Sequence, residues 1–139
     1  FSKAYGLAGL RLGYAIVPSD WAAAYARVNT PFAVSTLACE AGLAALEDDA
    51  HLERTRETVD WAREYMTREI QAPVAESHGN FVMVEVGDGT AASERLKREY
   101  GIIVRDLSSF GLPEHVRITA GRQAETEQVV AALNEVLKS

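Results

Sequence analysis

The chain has 139 residues, 47% of them hydrophobic and 24% charged, the balance of a globular domain with one core rather than of a disordered tail. Its net charge of −6 excludes a chain drawn as a whole to nucleic acid or to an anionic membrane surface. A lone cysteine, Cys39, excludes an intrachain disulfide, and no run approaches the ~20 apolar residues of a membrane span.

The first fourteen residues, Phe-Ser-Lys-Ala-Tyr-Gly-Leu-Ala-Gly-Leu-Arg-Leu-Gly-Tyr, place Ser2, Lys3 and Arg11 around Gly6, Gly9 and Gly13. A phosphate-cradling P-loop needs its lysine after the glycines, and a dinucleotide fingerprint needs Gly-x-Gly-x-x-Gly before a helix, so neither pattern fits. Two readings stay open on residue chemistry alone. One is a glycine-rich turn with solvated charges. The other is a lysine that forms an imine with an aldehyde cofactor, with a hydroxyl and an arginine for that cofactor's phosphate.

Residues 12 to 17 form a compact apolar run closed by Pro18, which predicts a strand buried on both faces. Ser19 is a candidate cap for a short helix over residues 21 to 27, Pro31 breaks it, and Ser35 or Thr36 starts another. Leu37, Ala38 and Ala41 around Cys39 predict a small buried thiol on that helix. From residue 49 to about 70, Leu52, Val59, Ala62, Met66 and Ile70 recur at helical spacing. Arg56 with Asp60 and Glu64 with Arg68 stand at i and i+4, pairs that stabilise a helix by about 0.2–0.5 kcal/mol each.

After Pro73 the pattern changes. Residues 81 to 86 predict a strand ending at the Gly87-Asp88-Gly89 turn, and Thr90 is a candidate cap for a helix closed by Gly101. A short strand over 102 to 104 ends at Arg105, residues 111 to 113 turn the chain, and 115 to 119 form a strand carrying Arg117. A last helix spans about 125 to 137 and buries Val129, Val130, Leu133, Val136 and Leu137. This half is therefore expected to be an α+β unit of three short strands and two helices. An arginine within Val116-Arg117-Ile118 is costly unless its fork meets an anion, and a carboxylate of the chain or a bound ligand would serve equally. His51, His78 and His115 share no metal-like spacing and are read as structural or solvated, with no metal site.

Ser2-Lys3-Ala4, followed by Gly6-Leu7-Ala8-Gly9-Leu10-Arg11-Leu12-Gly13-Tyr14, resembles the cofactor-lysine segment of the fold type I pyridoxal-phosphate aminotransferases, most closely the histidinol-phosphate aminotransferases. Pro31-Phe32-Ala33-Val34-Ser35 resembles that family's Pro-Tyr-Asn-Val segment, with Ala33 in place of the asparagine. Asn80-Phe81, Gly101-Ile-Ile-Val-Arg105, Gly111-Leu-Pro113 and Arg117-Ile-Thr-x-Gly121 are similar to its small-domain segments, from which Arg122 departs. The resemblance implies an α/β fold, here the C-terminal part of the fold type I transferase. Residues 1–48 would end the large cofactor domain, 49–72 form an interdomain helix, and 73–139 form a small α+β domain.

It further implies pyridoxal 5'-phosphate as cofactor, with Lys3 catalytic, Ser2, Lys3 and Arg11 binding the cofactor, and Arg105 and Arg117 binding the substrate's anionic end. The implied reaction is transamination of histidinol phosphate with 2-oxoglutarate in histidine biosynthesis, by a cytoplasmic homodimer with small-molecule substrates. Threonine-phosphate decarboxylases and aromatic aminotransferases share most of these motifs, and a non-catalytic anion-binding module is the alternative of another class. Because Lys3 comes so early and no initiator methionine precedes it, the chain is expected to be part of a longer polypeptide. In the family the acidic partner of the pyridine nitrogen, the stacking aromatic and a glycine-rich phosphate segment lie upstream, so the 139 residues alone are expected to turn over nothing.

Overall fold

The computed structural model describes residues 1–138 and divides into two compact units, Phe1–Thr55 and Arg56–Ser139. The first unit opens with a tight turn in which the Gly6 N–H donates to Lys3 O at 2.9 Å and the Leu7 N–H donates to Phe1 O at 3.0 Å. Gly6 has φ 68°, a left-handed conformation that glycine adopts without steric cost. A single 3-10 turn, Ala8–Leu10, follows. The Phe1 ring packs on Tyr5 and Tyr14 at centroid distances of 5.1 and 6.1 Å.

Residues 12–17 belong to no ladder, and Tyr14 and Ile16 are 79% and 93% exposed. The strand expected there is not formed. An apolar run becomes a buried strand only where neighbours accept its N–H and C=O groups, and the described residues of this unit include no other strand.

Helix α1, Ser19–Val28, begins at Pro18, and Ser19 is its first helical residue rather than the expected cap. In α2, Thr36–Leu46, Ser35 does cap: its hydroxyl accepts from the Ala38 N–H at 3.1 Å, one of the four donors a helix start leaves unpaired. Helix α2 buries Ala38 and Gly42, which lie four residues apart on one stripe. Cys39 is turned off that stripe and is exposed, against the expectation of a buried thiol.

Helix α3, Asp49–Glu69, contains the boundary between the units. Along it Asp60 pairs with Arg63, whose guanidinium also donates to Gly79 O at 3.2 Å, and Arg68 pairs with Glu69 at 2.6 Å rather than with the expected Glu64. Ala62 and Met66 face the core. Asn134 closes the end of α3: its side chain donates to Glu69 O at 2.9 Å and accepts from the Gln71 N–H at 2.9 Å.

The second unit is built on a three-stranded antiparallel sheet of β1 (Phe81–Glu85), β2 (Arg105–Asp106) and β3 (His115–Thr119), in the order β1-β3-β2. Val82, Val84, Val116 and Ile118 alternate onto one face and are buried. That face packs with Met66 of α3, Leu96 of α4 (Gly89–Tyr100), and Val129, Val130, Leu133 and Val136 of α5 (Gln123–Leu137). The β2 strand lies later than expected, because residues 102–104 join no ladder and pairing starts only at Arg105. Helix α4 is capped by Asp88, whose carboxylate accepts from the Ala91 N–H at 2.9 Å, and not by Thr90. Gly101 ends α4 in the left-handed conformation at φ 67°. At the start of α5 the Glu125 carboxylate accepts from the Arg122 N–H at 2.8 Å.

Gly89 fixes the first turn of α4 against β3. Its N–H donates to Pro113 O at 2.8 Å, and a Cβ placed on it would lie 2.5 Å from His115 O and 3.0 Å from Pro113 O, backbone atoms that cannot swing aside. Glycine-to-alanine exchange within a helix ordinarily stabilises by about 0.5–1 kcal/mol. Here Gly89→Ala is expected to destabilise by about 1–3 kcal/mol, the range for overpacking. A lowered urea midpoint at unchanged m-value checks it; a raised midpoint would show that the backbone yields.

Candidate active site

Two groups of candidate residues stand in the structure, one in each unit. In the first unit Ser2 is half-buried while Lys3 and Arg11 are exposed, all three within the turn built on Gly6 and Ala8–Leu10. Arg11 ends that turn at φ 54°, in the left-handed region that few non-glycine residues occupy. Its guanidinium donates from Nη1 to Ala8 O at 2.7 Å, which ties the side chain back over its own turn and leaves its other N–H groups free to meet a ligand. Among the described residues, Lys3 and Arg11 form no ion pair. An unpaired amine, a hydroxyl and a guanidinium in one short segment are a donor set that fits a phosphorylated aldehyde: the amine suits the aldehyde, and the other two suit the phosphate.

In the second unit an open cleft of about 900 Å³ is lined by Ile103, Arg105, Ser109, Arg117, Gly121 and Thr126, among others. Arg105 and Arg117 are direct partners in the β2–β3 ladder, which puts their Cβ atoms about 5 Å apart on one face of the sheet. Two cations so placed repel each other, and among the described residues neither forms an ion pair with a carboxylate of the chain. The chain's own acids therefore do not explain the pair, and its chemistry suits an anion in the cleft.

Arg117 is half-buried, its guanidinium carbon 5.1 Å from the centroid of the Phe81 ring. Its Nε is buried without a hydrogen-bond partner, a donor whose desolvation is uncompensated until something accepts from the cleft side. Arg105 is exposed at the cleft's edge. Behind it, the Asp106 carboxylate accepts from the Ser108 N–H at 2.8 Å, the Thr90 hydroxyl at 2.8 Å and the Ser108 hydroxyl at 2.9 Å. These bonds, the one from the Ser108 backbone foremost, hold the acid below the usual carboxylate range.

Residue chemistry alone missed Phe81 as the platform under Arg117, and Asp106 with Thr90 and Ser108 behind Arg105. Phe81 could be placed only with the register of β1 on β3, where Met83 faces Arg117 and Phe81 lies two pairs further along, on the same face. The Asp106-x-Ser108 spacing is a turn pattern and was the one available signal. His78 pairs with Glu76 at 3.3 Å on the surface, and His115 stands opposite Glu85 in the ladder with its Nδ1 buried and unpartnered. No group of three metal-ligating side chains occurs among the described residues, and no helix among them is long and apolar enough to cross a membrane.

Comparison with known proteins places the chain in one family. Residues 1–133 match the family model for aminotransferase class I and II. The histidinol-phosphate aminotransferases of Halobacterium salinarum and Haloarcula marismortui are 62% and 60% identical over 98% and 99% of the chain. The chain spans 37% and 38% of the lengths of those two relatives. Among solved structures, histidinol-phosphate aminotransferase from Sinorhizobium meliloti, in complex with pyridoxal-5'-phosphate, superposes with a TM-score of 0.89 at 32% identity, over 99% of this chain and 40% of that one. The chain belongs to the aminotransferase class I and II family.

Proposed function

We propose that this chain carries the cofactor lysine and the substrate-anion clamp of a pyridoxal-phosphate-dependent aminotransferase. In this reading it transfers the amino group of histidinol phosphate to 2-oxoglutarate, giving imidazole-acetol phosphate and glutamate, in histidine biosynthesis. The observation that carries it is the direct pairing of Arg105 with Arg117 across β2 and β3, on one cleft and without carboxylate partners among the described residues. The choice of substrate is supported by relatives of about 60% identity that bear the histidinol-phosphate name.

Pyridoxal phosphate, when bound, supplies the electron sink for the reaction. Ser2 and Arg11 hold its phosphate by charge-assisted hydrogen bonds, so that it keeps its place whenever Lys3 is released. Lys3 Nζ is the attachment point for its aldehyde. Once free of that link, Nζ would serve as the general base that takes the proton from the amine-bearing carbon of the substrate and, carrying it, as the general acid for the cofactor-side carbon. Arg105 and Arg117 take the phosphate of histidinol phosphate in one half-reaction and a carboxylate of glutamate or 2-oxoglutarate in the other. A planar fork reads either anion bidentately, which lets one clamp serve two substrates. The complete enzyme is proposed to be a cytoplasmic homodimer.

A coupled assay of the complete enzyme with 2-oxoglutarate tests the assignment. Histidinol phosphate is expected to give the highest kcat/KM, above phenylalanine, with glutamate formed in equal amount. Release of carbon dioxide from threonine phosphate in place of amino transfer would assign a decarboxylase instead.

A further inference from the structure

Arg105 sits on the least self-supporting strand of the sheet. β2 has two residues, lies at the edge and pairs with β3 alone, and so short a strand does not hold its place by its ladder. Its neighbours in the chain do the holding. Before it, the Ser93 hydroxyl donates to Val104 O at 3.4 Å. After it, Asp106 gathers three donors: Oδ1 accepts from the Ser108 N–H, and Oδ2 accepts from the hydroxyls of Thr90 and Ser108.

Thr90 belongs to the first turn of α4, the turn that Gly89 locks against the backbone of Pro113 and His115. One carboxylate thus joins the edge strand to the best-fixed part of the unit. Successive side chains on a strand point to opposite faces. Asp106 turned toward α4 therefore leaves Arg105 turned to the cleft, opposite Arg117.

We propose that Asp106 is a positioning residue for Arg105: by binding Thr90 and Ser108 it sets where the exposed guanidinium stands and so the affinity of the cleft for the substrate's anionic group. The inference rests on the anion-clamp reading of Arg105 and Arg117. Asp106 lines the same cleft, but its two oxygens are taken by three donors from Thr90 and Ser108. Loss of the anchor therefore acts through Arg105 alone.

The test is a double-mutant cycle in the complete enzyme, with Asp106→Ala, Arg105→Ala and both together. Asp106→Ala is expected to raise KM for histidinol phosphate roughly tenfold with kcat within about twofold, the signature of binding lost equally in ground and transition states. The double variant is expected to be no worse than Arg105→Ala, because Asp106 has nothing left to position. Thr90→Val, which keeps the shape and removes one donor, is expected to move KM in the same direction by a few-fold, and it keeps the test open should Asp106→Ala fold poorly. If Arg105→Ala raises KM while Asp106→Ala and Thr90→Val leave it unchanged, or if the two losses simply multiply, the inference is overturned and the clamp stands. Should Arg105→Ala leave KM unchanged, the clamp reading fails and takes the inference with it.

Discussion

Lys3→Ala in the complete enzyme is expected to lower kcat for transamination by on the order of 10⁴-fold, the upper end of what a positioned general acid–base supplies, with further loss from the missing covalent link. The structural cost of the change is small. Lys3 is exposed and forms no ion pair among the described residues, and surface substitutions of that kind stay within about 0.5 kcal/mol. An inactive variant with an unchanged melting temperature therefore reports on chemistry rather than folding. Borohydride reduction in the presence of pyridoxal phosphate supplies a second readout. The parent chain is expected to gain one reduced adduct at Lys3, and Lys3→Ala and Lys3→Arg none. Arginine keeps the charge, so its failure to take the adduct separates a nucleophilic amine from a cation that merely attracts phosphate. Activity or an adduct surviving in Lys3→Ala would remove Lys3 from the mechanism and leave the turn as a glycine-rich connection with solvated charges.

The sequence was most legible where a local rule and a tertiary demand agree. β3 falls on residues 115–119 because its alternation matches the register on β1, and α3 runs from Asp49 because its apolar stripe meets the core at Ala62 and Met66. Ser35 caps α2 for a purely local reason, a hydroxyl within reach of the Ala38 N–H. Local rules misled where a partner outside the segment decides the outcome. Residues 12–17 have the composition of a buried strand, but a strand is made by its neighbours. Thr90 was available as a cap, yet Asp88 reaches the Ala91 N–H first and frees Thr90 for Asp106. Cys39 follows the stripe of α2 by one position, and that single step turns it outward.

The same limit applies to the candidate site. Arg105 and Arg117 were each conspicuous as a charge in an apolar stretch, but twelve positions of sequence say nothing of their being ladder partners. That follows from a β2 starting at Arg105 rather than at residue 102, an offset set by the turn at Ser108–Phe110 and by Asp106. The Ser2, Lys3 and Arg11 group was easier to single out, because all three stand in one short segment of the sequence.

Arg117→Ala separates binding from stability more sharply than any other substitution at the clamp. In the free protein the buried, unpartnered Nε costs about 1–3 kcal/mol, while the stacking of the guanidinium over Phe81 returns about 0.5–2 kcal/mol. The two nearly cancel, so the variant is expected to unfold within about 1 kcal/mol of the parent. In the complex the balance changes, since an anion that accepts from the fork satisfies the orphaned donor and neutralises the repulsion from Arg105. Truncating one side of such a charged contact costs about 2–5 kcal/mol, so KM for histidinol phosphate and for 2-oxoglutarate is expected to rise on the order of 10²–10³-fold. Arg117→Lys keeps the charge but loses both the fork and the flat face over Phe81, and it is expected to recover less than about a tenth of the lost affinity. A structural salt bridge to a carboxylate of the chain predicts the reverse pattern, a large loss of stability with KM little changed. Urea unfolding and steady-state kinetics on the same two variants therefore decide between them.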